Sequence, residues 1–83
     1  MSVAEELADA LAKDTIEAAE ALGDDQLINE VAAQLGASSQ TTQEAFLTAV
    51  RVRLSEKRAR NFLQEKLQNY LNAQQAQHGS DAE

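Results

Sequence analysis

The side chains that could do chemistry in this chain are few, and their spacing does not assemble a reaction centre. There is one histidine, His78, in a glutamine-rich stretch, and no cysteine. A zinc site needs three or four Cys, His or carboxylate ligands converging on one point, so His78 is expected to be a solvated residue, with no metal. Asp24-Asp25 sets two carboxylates side by side, but a calcium site takes six to eight oxygens. The pair is better read as the start of a helix. Ser38 and Ser39 have no base in a pattern that would activate a hydroxyl nucleophile. No glycine-rich phosphate loop occurs, and no serine stands in the Asp-Ser-Leu setting of an acyl carrier. The expectation is a protein without catalytic residues or cofactors, not an enzyme.

The charged residues are more informative. The formal net charge is −7, but residues 1–50 hold ten acids against one base, Lys13. Residues 51–70 then hold six bases against Glu56 and Glu65. Arg51, Arg53, Lys57, Arg58 and Arg60 are therefore candidates for contacts with phosphate or with an acidic partner. Such asymmetry can steer a partner or favour self-association.

These residues must be positioned by helices. Proline is absent, there are three glycines in 83 residues, and alanine, leucine, glutamate and glutamine dominate. The expected class is all-α, a small bundle of three to four helices over residues 1–75, with a polar disordered tail over 76–83. No run of about 18 apolar residues suggests a membrane span, and the acidic N-terminus does not look like a signal peptide, so a cytoplasmic setting is expected. A chain this short buries a thin core and is often stabilised by association.

At 100° per residue, Val3, Leu7, Ala10, Leu11, Ala18, Ala21 and Leu22 share one side of a first helix. Asp14 falls inside that stripe and Ile16 opposite it. Asp14-x-x-Glu17 also has capping-box form, so a kink near Asp14, or a second contact surface at Ile16, is expected. Gly23 is a natural stop. A second helix follows Asp24-Asp25, with Leu27, Ile28, Val31, Ala32 and Leu35 facing the core, and Gly36 ends it. Ser38, Ser39 and Thr41 are candidate caps for a third helix, with Thr41-x-x-Glu44 the better capping box, and its apolar face is Phe46, Leu47, Val50 and Leu54.

Phe62, Leu63, Leu67, Tyr70 and Leu71 form another apolar face, well over 100° around from the first. The apolar-free stretch Ser55–Arg58 lies between the two. A break there, giving a fourth helix, is the favoured expectation. The alternative is one long helix with a seam at Ala45, Ala49, Val52, Ala59, Leu63 and Tyr70, spaced near 3.5 residues, which would suit packing against a second copy.

Glu30 to Phe46 resembles the helix-turn-helix of bacterial and phage regulators, including the DNA-binding part of phage small terminases. Ala32, Leu35 and Gly36 sit at suitable offsets, and Ser38, Ser39, Gln40 and Thr41 could present polar groups to a groove. The resemblance implies nucleic-acid binding as a regulator or packaging factor. Two features depart from it. Thr42 stands where a branched apolar residue would enter the core, and no Lys or Arg occurs between Lys13 and Arg51, although phosphate neutralisation supplies most non-specific affinity for DNA. The leading expectation is accordingly a regulatory or adaptor protein that binds another protein or itself as a homo-oligomer. Its interface would comprise Phe62, Leu63, Leu67, Tyr70 and Leu71. A nucleic-acid-binding protein is the alternative, and an acidic mimic of DNA the third.

Overall fold

The computed structural model describes residues 2–81, with side chains through Gln77. Among the described residues there are three helices and no strand: α1 (Val3–Leu22), α2 (Leu27–Gly36) and α3 (Gln40–Asp81). The all-α class holds. The expected break at Ser55–Arg58 does not occur, and the third and fourth helices are one helix of 42 residues. Its physical reason is local. That stretch contains neither proline nor glycine, so nothing in the backbone enforces a kink, and Glu56 pairs with Arg60 one turn on, a spacing that supports a helix. The helix continues to Asp81, past residue 76 where a disordered tail was expected to begin. Ala82 and Glu83 lie outside the described residues.

Short-range chemistry sets the helix ends. The Ser2 hydroxyl accepts the Glu5 N–H at 3.1 Å and thereby caps α1, with serine and glutamate three residues apart as a capping box requires. The expected break near Asp14 does not occur, and α1 runs from Val3 to Leu22 as one helix. At its other end Gly23 adopts φ 64°, its N–H reaches the Glu20 carbonyl, and the Asp24 N–H reaches that of Ala19 at 3.0 Å. This paired closure needs a left-handed residue, which glycine supplies without steric cost. The Asp24 carboxylate then accepts the Gln26 N–H at 2.9 Å, organising the turn, and α2 starts at Leu27.

The α2–α3 corner meets one expectation and departs from another. Gly36 is the last residue of α2 as expected, but without a left-handed turn, because Ala37 after it is still right-handed at φ −64° and Gly23 is the only described residue with positive φ. The absence of a side chain at Gly36 matters instead for space: a Cβ there would come within 2.5 Å of the Gln43 amide nitrogen. Gln43 uses that room to donate to the Ala32 carbonyl at 3.0 Å, tying the first turn of α3 to α2. Ser39 rather than Thr41 caps α3, its hydroxyl accepting the Thr42 N–H at 3.1 Å and lying 2.8 Å from the Thr42 hydroxyl. Glu44 stays exposed and closes no capping box.

The core is one cluster of Ala8, Ala12, Ala32, Phe46 and Val50, bordered by half-buried residues such as Leu11, Ile28, Leu35 and Leu54. Phe46 is its one large, fully buried side chain. The stripe expected on α1 is corrected by rotation: Val3, Leu7, Ala10, Ala21 and Leu22 are exposed, and Ala8, Ala12 and Thr15 face inward with Ile16 beside them. Three helices closing around Phe46 need a wall of short side chains, since interiors pack to crystal-like density and surplus volume strains them. Thr15 enters this wall by donating its hydroxyl to the Leu11 carbonyl at 2.7 Å, and among the described residues no buried side-chain polar atom is unpaired.

The core stops at Leu54. Contacts between α1 and α3 end near Lys57, which pairs with Glu20 close to the end of α1. Beyond it α3 stands alone for about 36 Å, at 1.5 Å per residue. The extents are 68 × 29 × 12 Å and the radius of gyration is 19.5 Å, against about 12 Å for a compact chain of this length. The molecule is a three-helix head, reaching to Lys57, carried on a helical stalk over residues 58–81.

Candidate interaction surface

The stalk carries the residues expected to form an interface. Phe62, Leu63, Leu67 and Tyr70 are 56–68% exposed, and Leu71 is 45% exposed. They lie on one continuous helix, so their relative directions follow from 3.6 residues per turn: Leu63, Leu67, Tyr70 and Leu71 make a longitudinal stripe, with Phe62 at its edge. From residue 55 to 77 only Gln74 is even half-buried. Most helical stability in proteins comes from packing an amphipathic face, so the contiguous apolar stripe of this stretch gains from being covered.

The same stripe continues into the head. Ala45 and Ala49 are half-buried and Val52 is 62% exposed, and all three line a groove of about 470 Å³ between the start of α1 and the first turns of α3. Its polar rim is formed by Glu5, Asp9 and Glu44, with no basic residue in the lining. The seam read as the alternative to a broken helix is thus carried by one unbroken helix, small in the head and large in the stalk.

The basic band is largely engaged within the molecule. Arg53 grips both oxygens of Asp9 through two hydrogen bonds of 2.8 Å. Those hydrogen bonds hold the Asp9 carboxyl below its ordinary pKa and raise Arg53 above its own. Lys57 pairs with Glu20 and Arg60 with Glu56. Arg51 and Arg58 make no ion pair among the described residues. The five bases therefore do not form one free surface, because three hold acidic partners on α1 or α3. Spacing along the sequence could not reveal the Asp9–Arg53 pair, since its members are 44 residues apart.

A second groove, of about 640 Å³, runs between Ile16, Glu17 and Glu20 of α1 and Val52, Arg53 and Lys57 of α3. The Arg53 and Lys57 ion pairs cross it, and it is open to solvent. No group of three or more His, Cys, Asp or Glu side chains suited to a metal is found among the described residues. No described helix is long and apolar enough to cross a membrane. Sequence reading missed Ser2 as a cap, although Ser2-x-x-Glu5 signals it, and missed Gln43, whose partner depends on the corner geometry. Comparisons with protein-family models, curated proteins and solved structures give no match to this chain.

Proposed function

We propose that this protein acts by protein–protein association, as a self-associating helical adaptor or regulator whose binding element is the stalk of α3. The observation that carries this reading is the uncovered stripe Leu63, Leu67, Tyr70 and Leu71 on a helix that leaves its own head. Interfaces are centred on aromatic and aliphatic anchors of this kind, and truncating a few of them removes most of the binding energy. In this reading the α2–α3 corner serves the head: Ser39 and Gln43 are committed to capping and to packing α3 on α2. A nucleic-acid reading draws less support, because Arg53, Lys57 and Arg60 are tied to carboxylates. Analytical ultracentrifugation of the parent and of a Leu63→Glu/Leu67→Glu variant tests the proposal. The parent should sediment as an oligomer and the variant as a folded monomer. A monomeric parent would refute it, and tight DNA binding that persists at moderate salt would favour the nucleic-acid alternative.

A further inference from the structure

Resting on that reading, we infer that the occupant of the stripe is a second copy of this chain, docked antiparallel, so that each stalk lies in the α1–α3 groove of the other head. Three observations converge on this arrangement. The first is spacing. About a midpoint between Lys57 and Arg58, the seam of α3 is its own mirror: Leu63 falls opposite Val52, Lys66 opposite Ala49, Tyr70 opposite Ala45, and Ala59 opposite Glu56. An antiparallel helix pair related by a two-fold axis brings such positions together, and each contact then occurs twice.

The second is size. On the head side of the midpoint the seam residues are Ala45, Ala49 and Val52, which floor an open groove. On the stalk side Leu63 and Tyr70 stand out from a bare helix, with Lys66 between them in the seam and Leu67 flanking it. Large side chains thus meet small ones in every layer except Ala59–Glu56, as knobs meeting holes require. A parallel pairing would set Tyr70 against Tyr70 on the stalks and Ala45 against Ala45 in the heads, large on large and small on small.

The third is charge. The groove lining holds Glu5, Glu44 and the Arg53-paired Asp9, and no base, whereas residues 58–77 hold Arg58, Lys66 and the Glu56-paired Arg60 against one acid, Glu65. Lys66 is a charged residue within the seam. Set opposite Ala49, its aliphatic stem covers the alanine while its ammonium reaches the acidic rim, the usual compromise of a long cationic side chain at an apolar seam. The sign of the pairing favours the antiparallel arrangement and disfavours stalk on stalk, where the two Lys66 residues would face each other.

The chain has no cysteine, so introduced thiols report the register directly. Ala45→Cys and Tyr70→Cys variants are prepared separately, refolded together, and treated with a short bifunctional maleimide. Sedimentation is measured on the parent and on each variant. Within one chain the two positions are about 38 Å apart along α3, beyond such a linker. The expected result is a cross-linked dimer from the mixture and none from either variant alone. Cross-linking of Tyr70→Cys alone means parallel stalks and overturns the register while leaving self-association intact. A dimer by sedimentation that cross-links in neither test overturns it too. A monomeric parent with no cross-link removes the underlying reading as well. In a second arm, Lys66→Glu should weaken the dimer several-fold at low salt, and adding Glu44→Lys should recover part of the loss. An unchanged dimer in Lys66→Glu would count against the groove as the docking site.

Discussion

Head and stalk share one helix, yet their apolar residues have opposite fates. Up to Leu54, α3 turns Phe46 and Val50 into a cluster closed by alanines of α1 and α2. Beyond Lys57 the same helix shows Leu63, Leu67 and Tyr70 to solvent. The difference lies in supply rather than in intrinsic hydrophobicity: α1 and α2 together span only 30 residues and cannot reach along a helix of 42. A helix that outruns its own bundle gains from cover found elsewhere. The contrast teaches that the head closes on its own apolar residues while the stalk leaves its apolar stripe uncovered.

The contrast breaks most severely at its centre. Phe46→Ala should cost roughly 3–5 kcal/mol, as for a fully buried aromatic, which is comparable to the whole stability of a small domain. Thermal circular dichroism should show the cooperative transition of the head lost or shifted far down. A variant melting like the parent would mean that the cluster is not the source of stability.

Leu63→Glu/Leu67→Glu sharpens the comparison from the other side. Its head should keep the helical spectrum and a cooperative melt, while any dependence of melting on protein concentration disappears, because association stabilises by mass action. If the head unfolded as well, the stripe would belong to the core rather than to an interface.

A smaller effect is expected at the corner that aims α3. Gln43→Ala removes the hydrogen bond to Ala32 and should cost about 1 kcal/mol, measured by urea unfolding. Gly36→Ala forces the Gln43 side chain aside but gains helix propensity worth up to about 1 kcal/mol. Its net change should therefore be smaller than that of Gln43→Ala. A large destabilisation would show that the backbone, not the Gln43 side chain, has to move.

The smallest effect concerns pH. The hydrogen bonds from Arg53 hold the Asp9 carboxyl below its ordinary pKa, so in the unfolded chain Asp9 binds its proton more readily. The stabilisation is then present above about pH 4, the unfolded carboxylate range, and fades as pH falls through the lower folded value. Both groups are partly exposed, so the contribution is modest. Melting followed between neutral and acidic pH should show a slightly shallower acid decline in Asp9→Asn than in the parent. An identical decline would mean that the ion pair carries no stability.

Much of this organisation can be read without coordinates, for reasons that are local. The all-α class follows from helix formers and the lack of proline. Gly23 ends α1 because a left-handed turn there suits glycine alone, and the two apolar faces of α3 follow from 100° per residue. The interface candidates Phe62 to Leu71 are visible for the same reason. The sequence also shows which positions could form a seam and where the charges of each sign are concentrated.

Other features depend on neighbours and were decided only by packing. A helical wheel ranks the faces of α1 by hydrophobicity and selects Val3, Leu7 and Leu22. The fold instead buries Ala8, Ala12 and Thr15 and leaves Leu11 half-buried at the border of the cluster, because the positions closest to Phe46 have room only for short side chains. Ser39 displaced Thr41 as the cap, and Gly36 proved useful for the space it leaves to Gln43, since both outcomes depend on how α3 leaves α2. The sequence by itself determined that there would be helices, where α1 and α2 would end, and that residues 41–75 would carry two apolar faces, but not that one unbroken helix would carry both. Tertiary structure alone decided which face is core and which is free, because burial depends on the shape and reach of the neighbouring helices, and a one-dimensional pattern contains neither.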